Sequence, residues 1–204
     1  MRALITIAYL VFLHCLCNAQ VDTVLTTDKK INAKIKLLRL KNVDTLAIYY
    51  KFCSGCYPPP VLKDSCYIYQ EKYLIWRQER QYYIERFDEC NDYSPVIIDS
   101  EPYRLLTANY SKIQKERIRP PEFATIVDGK RMLLGLSKSD GLYYTTLEIY
   151  TANKILRQAV EDFYFDTKKY IDGKHLNRNY APNRKTILFK LKTAIEKEVR
   201  IHYH

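Results

Sequence analysis

Glycine is scarce, with five residues in 204, and none lies in a run that could cradle a phosphate. Gly-rich nucleotide loops are therefore excluded. Histidine is nearly as rare. Beyond the first twenty residues only His175, His202 and His204 occur. A Ser-His-Asp or Cys-His site would have to draw on one of these three, and no Gly-x-Ser-x-Gly elbow accompanies them. The terminal His-Tyr-His offers two metal ligands, but chain ends usually fray, so neither a metal nor a cofactor is expected. After Gln20 no apolar run approaches the ~20 residues of a membrane-spanning helix. No basic run exceeds two residues, and no internal repeat or low-complexity block occurs.

The chain opens with MRALITIAYLVFLHCLCNAQ: one arginine, an apolar run from Ala3 to Leu16, then Cys17-Asn18-Ala19. A short basic region, an apolar stretch and small residues before the cut point predict a signal peptide over 1–19. The remainder, 20–204, is long enough for one globular domain with a real core. That domain is expected in an exported setting, periplasmic or extracellular, with no transmembrane segment once the signal is removed.

An oxidising compartment changes how cysteines read. Cys53, Cys56, Cys66 and Cys90 follow the signal. Cys53 and Cys56 sit in FCSGCYPPP, which admits three chemistries. A redox dithiol wants a helix straight after the motif, and Tyr57 with Pro58 to Pro60 cannot begin an ordinary one. A zinc site wants two close ligand pairs, whereas Cys66 and Cys90 are 24 positions apart. The remaining reading, and the one favoured, is two structural disulfides.

The hairpin that follows supports a pairing. SCYIYQEKYLIWRQERQYYIERFDEC, Ser65 to Cys90, reads as two strands around a turn near Gln78. With the turn centred there, Tyr73 faces Tyr83, Tyr69 faces Phe87, and Cys66 faces Cys90. Cross-strand Cβ separations of ~4.5–5.5 Å come near what a disulfide needs. Cys66–Cys90 is then the expected bridge, with Cys53–Cys56 as a small local loop. A slip of one residue would undo this register.

Other elements follow from periodicity. Asp28 is expected to cap a helix with Ile31, Ile35 and Leu38 on one face. Thr45 to Phe52 reads as a strand. Ser100 is expected to cap a helix that ends before Pro120-Pro121. Asp128-Gly129 marks a hairpin turn, and LYYTTLEIY a further strand. Ile155, Ala159 and Phe163 have helical spacing, and Asp166 to Asn183 is polar enough for a surface loop. Ile187, Leu191, Ile195 and Val199 form one stripe of an amphipathic C-terminal helix. The fold predicted is α+β: an antiparallel, tyrosine-rich sheet with N-terminal and C-terminal amphipathic helices.

The positive charge is uneven. Residues 20–102 carry 12 Lys/Arg against 12 Asp/Glu, whereas residues 103–204 carry 20 against 11, a net of +9. A basic half suits a polyanionic surface as partner, with Lys168, Lys169, Arg178, Arg184 and Lys185 as candidates, though a solvated lysine-rich surface explains it as simply. Nucleic acid is not expected. Glu85, Asp88, Glu89 and Asp92 crowd near Cys90, but strand alternation divides them between faces and argues against a carboxylate pair.

The CNAQ region, the CSGC loop and the YLIWRQERQYYIERFDEC hairpin together resemble a group of uncharacterised exported proteins of Bacteroidota-type bacteria. In that group a Cys-x-Gly-Cys loop precedes a Trp-containing strand and a return strand ending in cysteine. The resemblance covers Leu46 to Cys90. It implies an envelope location and structural cysteines, and it carries no activity. The expectation is an exported, non-enzymatic interaction or structural module. The alternatives are a polyanion binder using the basic half and a thiol redox or zinc protein using Cys53 and Cys56. An envelope protein is the other partner considered.

Overall fold

The computed structural model describes residues 26–56, 68, 70–128, 130–135, 142–170 and 173–204. The expected signal peptide and Cys66 lie outside these residues. Helix α1 (Thr27–Leu40) leads into β1 (Leu46–Ser54), and β2 (Lys72–Gln78) and β3 (Gln81–Phe87) form a hairpin. Then follow β4 (Val96–Ile97), α2 (Glu101–Ala108) and α3 (Tyr110–Lys115). A separate hairpin of β5 (Glu122–Val127) and β6 (Lys130–Gly135) precedes β7 (Leu142–Tyr150) and β8 (Ile155–Glu161). The chain closes with α4 (Phe163–Asp166), α5 (Tyr180–Arg184) and α6 (Ile187–Tyr203).

The main sheet is antiparallel, in the order β4-β3-β2-β1-β7-β8. The fold is α+β. Both faces of the sheet are apolar, so each needs a helical cover. Strand alternation sends Leu46 and Ile48 to one face and Ala47 and Tyr49 to the other. The first face meets Ile31 and Leu38 of α1, together with Leu74, Trp76 and Phe87. The second meets Leu188, Leu191, Ile195 and Val199 of α6, with Leu106 and Ile113 of α2 and α3 beside them. Each fully buried aliphatic side chain contributes about 1.5–3 kcal/mol before the entropy of ordering is subtracted.

Five details differ from what the sequence suggested. Asp28 does not cap α1 but sits in its first turn, behind an N-cap at Thr26. The β2–β3 turn is Glu79-Arg80, with Glu79 at φ 56°, and Lys72 pairs with Phe87 and Tyr73 with Arg86. Opposed residue numbers sum to 159 instead of 156. A slip of three, being odd, moves side chains to the opposite face, so Tyr73 does not face Tyr83. The helix after Ser100 is interrupted at Asn109. Its first turn is capped by Asp99, whose Oδ1 accepts from the Glu101 N–H at 2.9 Å, while the Ser100 side chain makes no cap.

Residues 155–161 form a strand, not a helix. A turn in which the Thr151 N–H donates to the Lys154 carbonyl at 2.9 Å returns the chain onto β7, and the intended stripe residue Ile155 is 65% exposed. Finally, the described residues of 166–183 are mostly exposed, as a surface loop requires, but three of the polar side chains turn inward. Asn177, Asn179 and Asn183 are buried, and their amides bind backbone. Asn183 Nδ2 donates to the carbonyls of Arg119 (2.8 Å) and Tyr164 (3.0 Å), and its Oδ1 accepts from the Arg119 N–H at 3.1 Å. Asn179 Nδ2 donates to the Pro120 carbonyl at 2.8 Å, and Asn177 Oδ1 accepts from the Glu122 N–H at 3.1 Å. Two prolines leave 119–122 without a regular pairing scheme, and the asparagines supply the missing partners.

Candidate functional site

Where α6 crosses the end of the sheet formed by β1 and the start of β2, the layers part around a cavity of about 640 Å³. Tyr49, Lys51 and Tyr73 line it from the sheet, Glu71 from the approach to β2, and Glu196 and Arg200 from α6. Alternation along β1 puts Tyr49, Lys51 and Cys53 on this same face.

Glu196 organises one wall. Its Oε1 accepts from the Tyr49 hydroxyl at 2.8 Å, from Lys51 Nζ at 2.6 Å and from Lys192 Nζ at 2.8 Å. Burial works to raise the carboxyl pKa, but the hydrogen bonds and charges of Lys192 and Lys51 outweigh it and hold it below the usual carboxylate range. Lys51 also reaches Asp162 Oδ2 at 3.4 Å, and Asp162 is held by the Thr145 hydroxyl. Burial disfavours the Lys51 charge, yet the bond to Glu196 and the nearby Asp162 raise its pKa. Tyr49 keeps its proton far into alkali, because it is buried against the Glu196 carboxylate.

Glu71 organises the other wall. It accepts from the Tyr73 hydroxyl at 2.6 Å and from Arg86 Nη2 at 2.7 Å. Arg86 Nη2 also donates to Asp88 Oδ2 at 3.0 Å, which accepts the Tyr93 hydroxyl as well. Asp88 is fully buried and takes the N–H groups of Cys90 and Asn91 on its second oxygen. Those bonds outweigh desolvation and lower its pKa. The Tyr203 ring packs 5.8 Å from Tyr73 and 5.9 Å from Tyr93, and its hydroxyl donates to the Ile84 carbonyl at 3.1 Å. The chain end is thus docked on the sheet, contrary to the expectation of fraying, and this brings His204 to the cavity.

Arg200 differs from the other cations here. Among the described residues its one hydrogen bond runs from Nε to the carbonyl of Glu196 in its own helix, at 3.4 Å. The tips of the guanidinium have no partner among the described residues.

Cys53 and Cys56 are joined by a disulfide with their Cα atoms 5.6 Å apart, and Gly55 takes the left-handed conformation, φ 79°, that the tight loop requires. Cys90 is also disulfide-bonded. The sequence register that faced it with Cys66 is the one corrected above, and Cys66 is outside the described residues. Among the described residues no group of three or more His, Cys, Asp or Glu is placed to hold a metal ion. Of the acidic cluster only Glu85 lies in a strand: it pairs with Lys34 of α1 at 2.6 Å and Asp92 with Lys30 at 2.9 Å, while Asp88 serves Arg86.

Lys168, Lys169, Arg178, Arg184 and Lys185 are all exposed, and none forms a salt bridge among the described residues. The Lys169–Leu176 bridge and the Asn177 N–H to Lys168 carbonyl bond (2.9 Å) bring Lys168, Lys169 and Arg178 to one crossing. Arg184 is turned onto aromatic rings, 4.4 Å from Phe189 and 5.2 Å from Tyr180.

Tyr73, Val199 and His204 were noticed in the sequence for other reasons, but nothing marked them as one site. The lining comes from 49–51, 68–73 and 196–204, and convergence of that kind leaves no local motif. One signal was present: Lys192 and Glu196 are charged residues i, i+4 beside an apolar stripe, where a solvated pair is unexpected. No helix among the described residues is long and apolar enough to cross a membrane. Comparison with family models, curated proteins and solved structures returns no match.

Proposed function

We propose that this chain is an exported, disulfide-clamped binding module that takes a small polar ligand bearing an acidic group into the cavity beneath α6. The observation that carries the reading is the cavity itself: about 640 Å³, with its lining carboxylates Glu71 and Glu196 already partnered and the tips of the Arg200 guanidinium without a partner among the described residues. Concave sites of this size with a few convergent polar groups are where small ligands bind. A guanidinium whose tips have no described partner, in a cavity that Tyr49 and Tyr73 also line, suits a carboxylate held in a bidentate fork. Glu71 and Glu196 would then accept from ligand hydroxyl or amino groups. The engaged carboxylates and bridged cysteines favour binding over catalysis.

Export is supported by the leader-like first nineteen residues and by the disulfides, which persist in oxidising compartments. The resemblance of Leu46–Cys90 to exported proteins of Bacteroidota-type bacteria points the same way.

The test is a thermal-shift titration of the oxidised protein with glutamate, tartrate and galacturonate, each beside its uncharged counterpart. A ligand that binds the folded state raises Tm by mass action. The expected result is a rise with an acid but not with its neutral analogue, lost in Arg200→Ala and in Gln70→Trp, which fills the cavity from its rim. No response to any acid, or a response unchanged in both variants, overturns the reading.

A further inference from the structure

The outward side of α6 carries a second concavity, a groove of about 340 Å³ lined by Arg184, Phe189, Lys190, Ala194, Lys197 and Arg200, with Glu101 of α2 at its edge. Four cations thus face one carboxylate. Lys190 and Lys197 are exposed and without ion pairs among the described residues, and they sit two turns apart on one stripe. From Lys190 to Arg200 the helix rises about 15 Å, the length of four to five extended residues.

We infer that this groove is a docking site for an extended acidic segment of a partner protein, with carboxylates alternating with apolar side chains. Charge complementarity selects an anionic occupant. The floor made by Ala194 and by what Arg184 leaves uncovered of the half-buried Phe189 selects one that also has apolar groups to bury. A membrane surface fits poorly. An interfacial helix inserts its apolar side, and here Ile187, Leu188, Leu191, Ile195 and Val199 are already buried against the sheet. An acidic polysaccharide fits poorly as well. Sugars bind by stacking on open aromatic faces, whereas the Phe189 ring is occupied by Arg184 at 4.4 Å and lies 5.2 Å from Phe165. In an extended peptide, alternate side chains point to opposite sides, so one set reaches the cations while the next reaches the floor.

This inference does not depend on the cavity reading, and its test avoids Arg200, which both concavities share. A fluorescein-labelled peptide of alternating Glu and Val is titrated by anisotropy into the oxidised protein at low salt, with the scrambled-charge Lys/Val peptide as control. The expected result is saturable binding of the acidic peptide that weakens steeply as salt rises. The double variant K190E/K197E should weaken it at least about tenfold with its thermal melt unchanged. Lys36→Glu, on the far helix α1, should change it less than about twofold. No binding at low salt overturns the proposal. So does loss of binding in K168E/K169E but not in K190E/K197E, which moves the contact to the loop. Equal, K190E/K197E-sensitive binding of phosphatidylglycerol vesicles or a sulfated polysaccharide also overturns it, by showing a groove that reads charge alone.

Discussion

The Glu116 carboxylate caps a helix it does not belong to: Oε1 accepts the N–H of Ile187 at 2.8 Å, and Oε2 that of Leu188 at 2.9 Å. Thr186 Oγ1 takes the Phe189 N–H at 3.2 Å, and the Thr186 N–H itself reaches the Asn183 carbonyl at 3.2 Å. The four donors that a helix start leaves unpaired are therefore all satisfied, two of them by a side chain 71 positions upstream. A carboxylate there also meets the positive end of the helix dipole. Since α6 roofs the cavity, this cap fixes where Glu196 and Arg200 stand.

Replacing Glu116 by alanine should cost about 1–2 kcal/mol, through two lost cap bonds and the lost dipole interaction. Glu116→Gln keeps one of the two acceptor oxygens, loses the charge and turns its NH2 toward the other helix N–H, so it should recover only a minor part of that loss. Urea unfolding at neutral pH measures both. Equal loss in the two variants would show that charge, not acceptor geometry, makes the cap.

Acid should weaken the fold through Glu196 and Asp88. Both have folded pKa values below their ordinary ones, so the unfolded chain binds more protons as pH falls. Their stabilisation is complete above the unfolded pKa, about 4, and is lost as pH drops through the lower folded values. Glu85 runs the other way: burial raises its pKa against the pull of Lys34, so its protonation relieves a cost. Unfolding free energies from about pH 7 to about pH 3 should fall, more shallowly in Glu196→Gln and more steeply in Glu85→Gln. A Glu196→Gln profile parallel to wild type would mean that the Lys51 and Lys192 bonds do not stabilise the charged form.

What was legible in the sequence was whatever has a local period. The Ile187, Leu191, Ile195, Val199 stripe and the β-branched, aromatic strands at 46–52 and 142–150 were read correctly because burial imposes that period. The hairpin was found but misregistered, because Glu79-Arg80 carries no glycine or asparagine to mark a left-handed turn. β8 was misread because Ile155, Ala159 and Phe163 happen to fall four apart, while the pairing with β7 that decides the matter is tertiary. The asparagine segment was hidden by equating polarity with exposure. The cavity left only the Lys192 and Glu196 pair as a local trace, since Lys51, Glu71 and Glu196 meet only in three dimensions.

The asparagines give the sharpest stability test. Asn183 is 1% exposed and makes three hydrogen bonds to backbone. Asn183→Ala strands the Arg119 N–H and two carbonyls in a buried site and should cost roughly 3 kcal/mol. Asn183→Asp keeps the shape but places a carboxylate where two donated bonds were, so it should be at least as damaging and should recover as pH falls. An alanine variant within about half a kcal/mol of wild type would mean that water replaces the amide.

The cysteines supply the last prediction. Cys53–Cys56 closes a loop of three positions, and the chain-entropy argument assigns a short loop the least stabilisation. A double Cys53→Ser, Cys56→Ser variant should therefore stay folded, lose no more than about 1–2 kcal/mol, and bind cavity ligands as the wild type does. Cys90→Ser should cost more: its bridge lies beside Asp88, whose buried oxygen holds the Cys90 N–H at 2.9 Å, so losing the bridge loosens the Asp88, Arg86 and Glu71 chain that reaches the cavity wall. Alkylation, digestion and mass mapping without reductant should find both bridges closed, with Cys66 as the partner of Cys90. Free thiols at Cys53 and Cys56, or ready reduction there with a measurable disulfide-exchange rate, would return the CSGC loop to the centre of the protein's chemistry and remove the clamp from the proposed function.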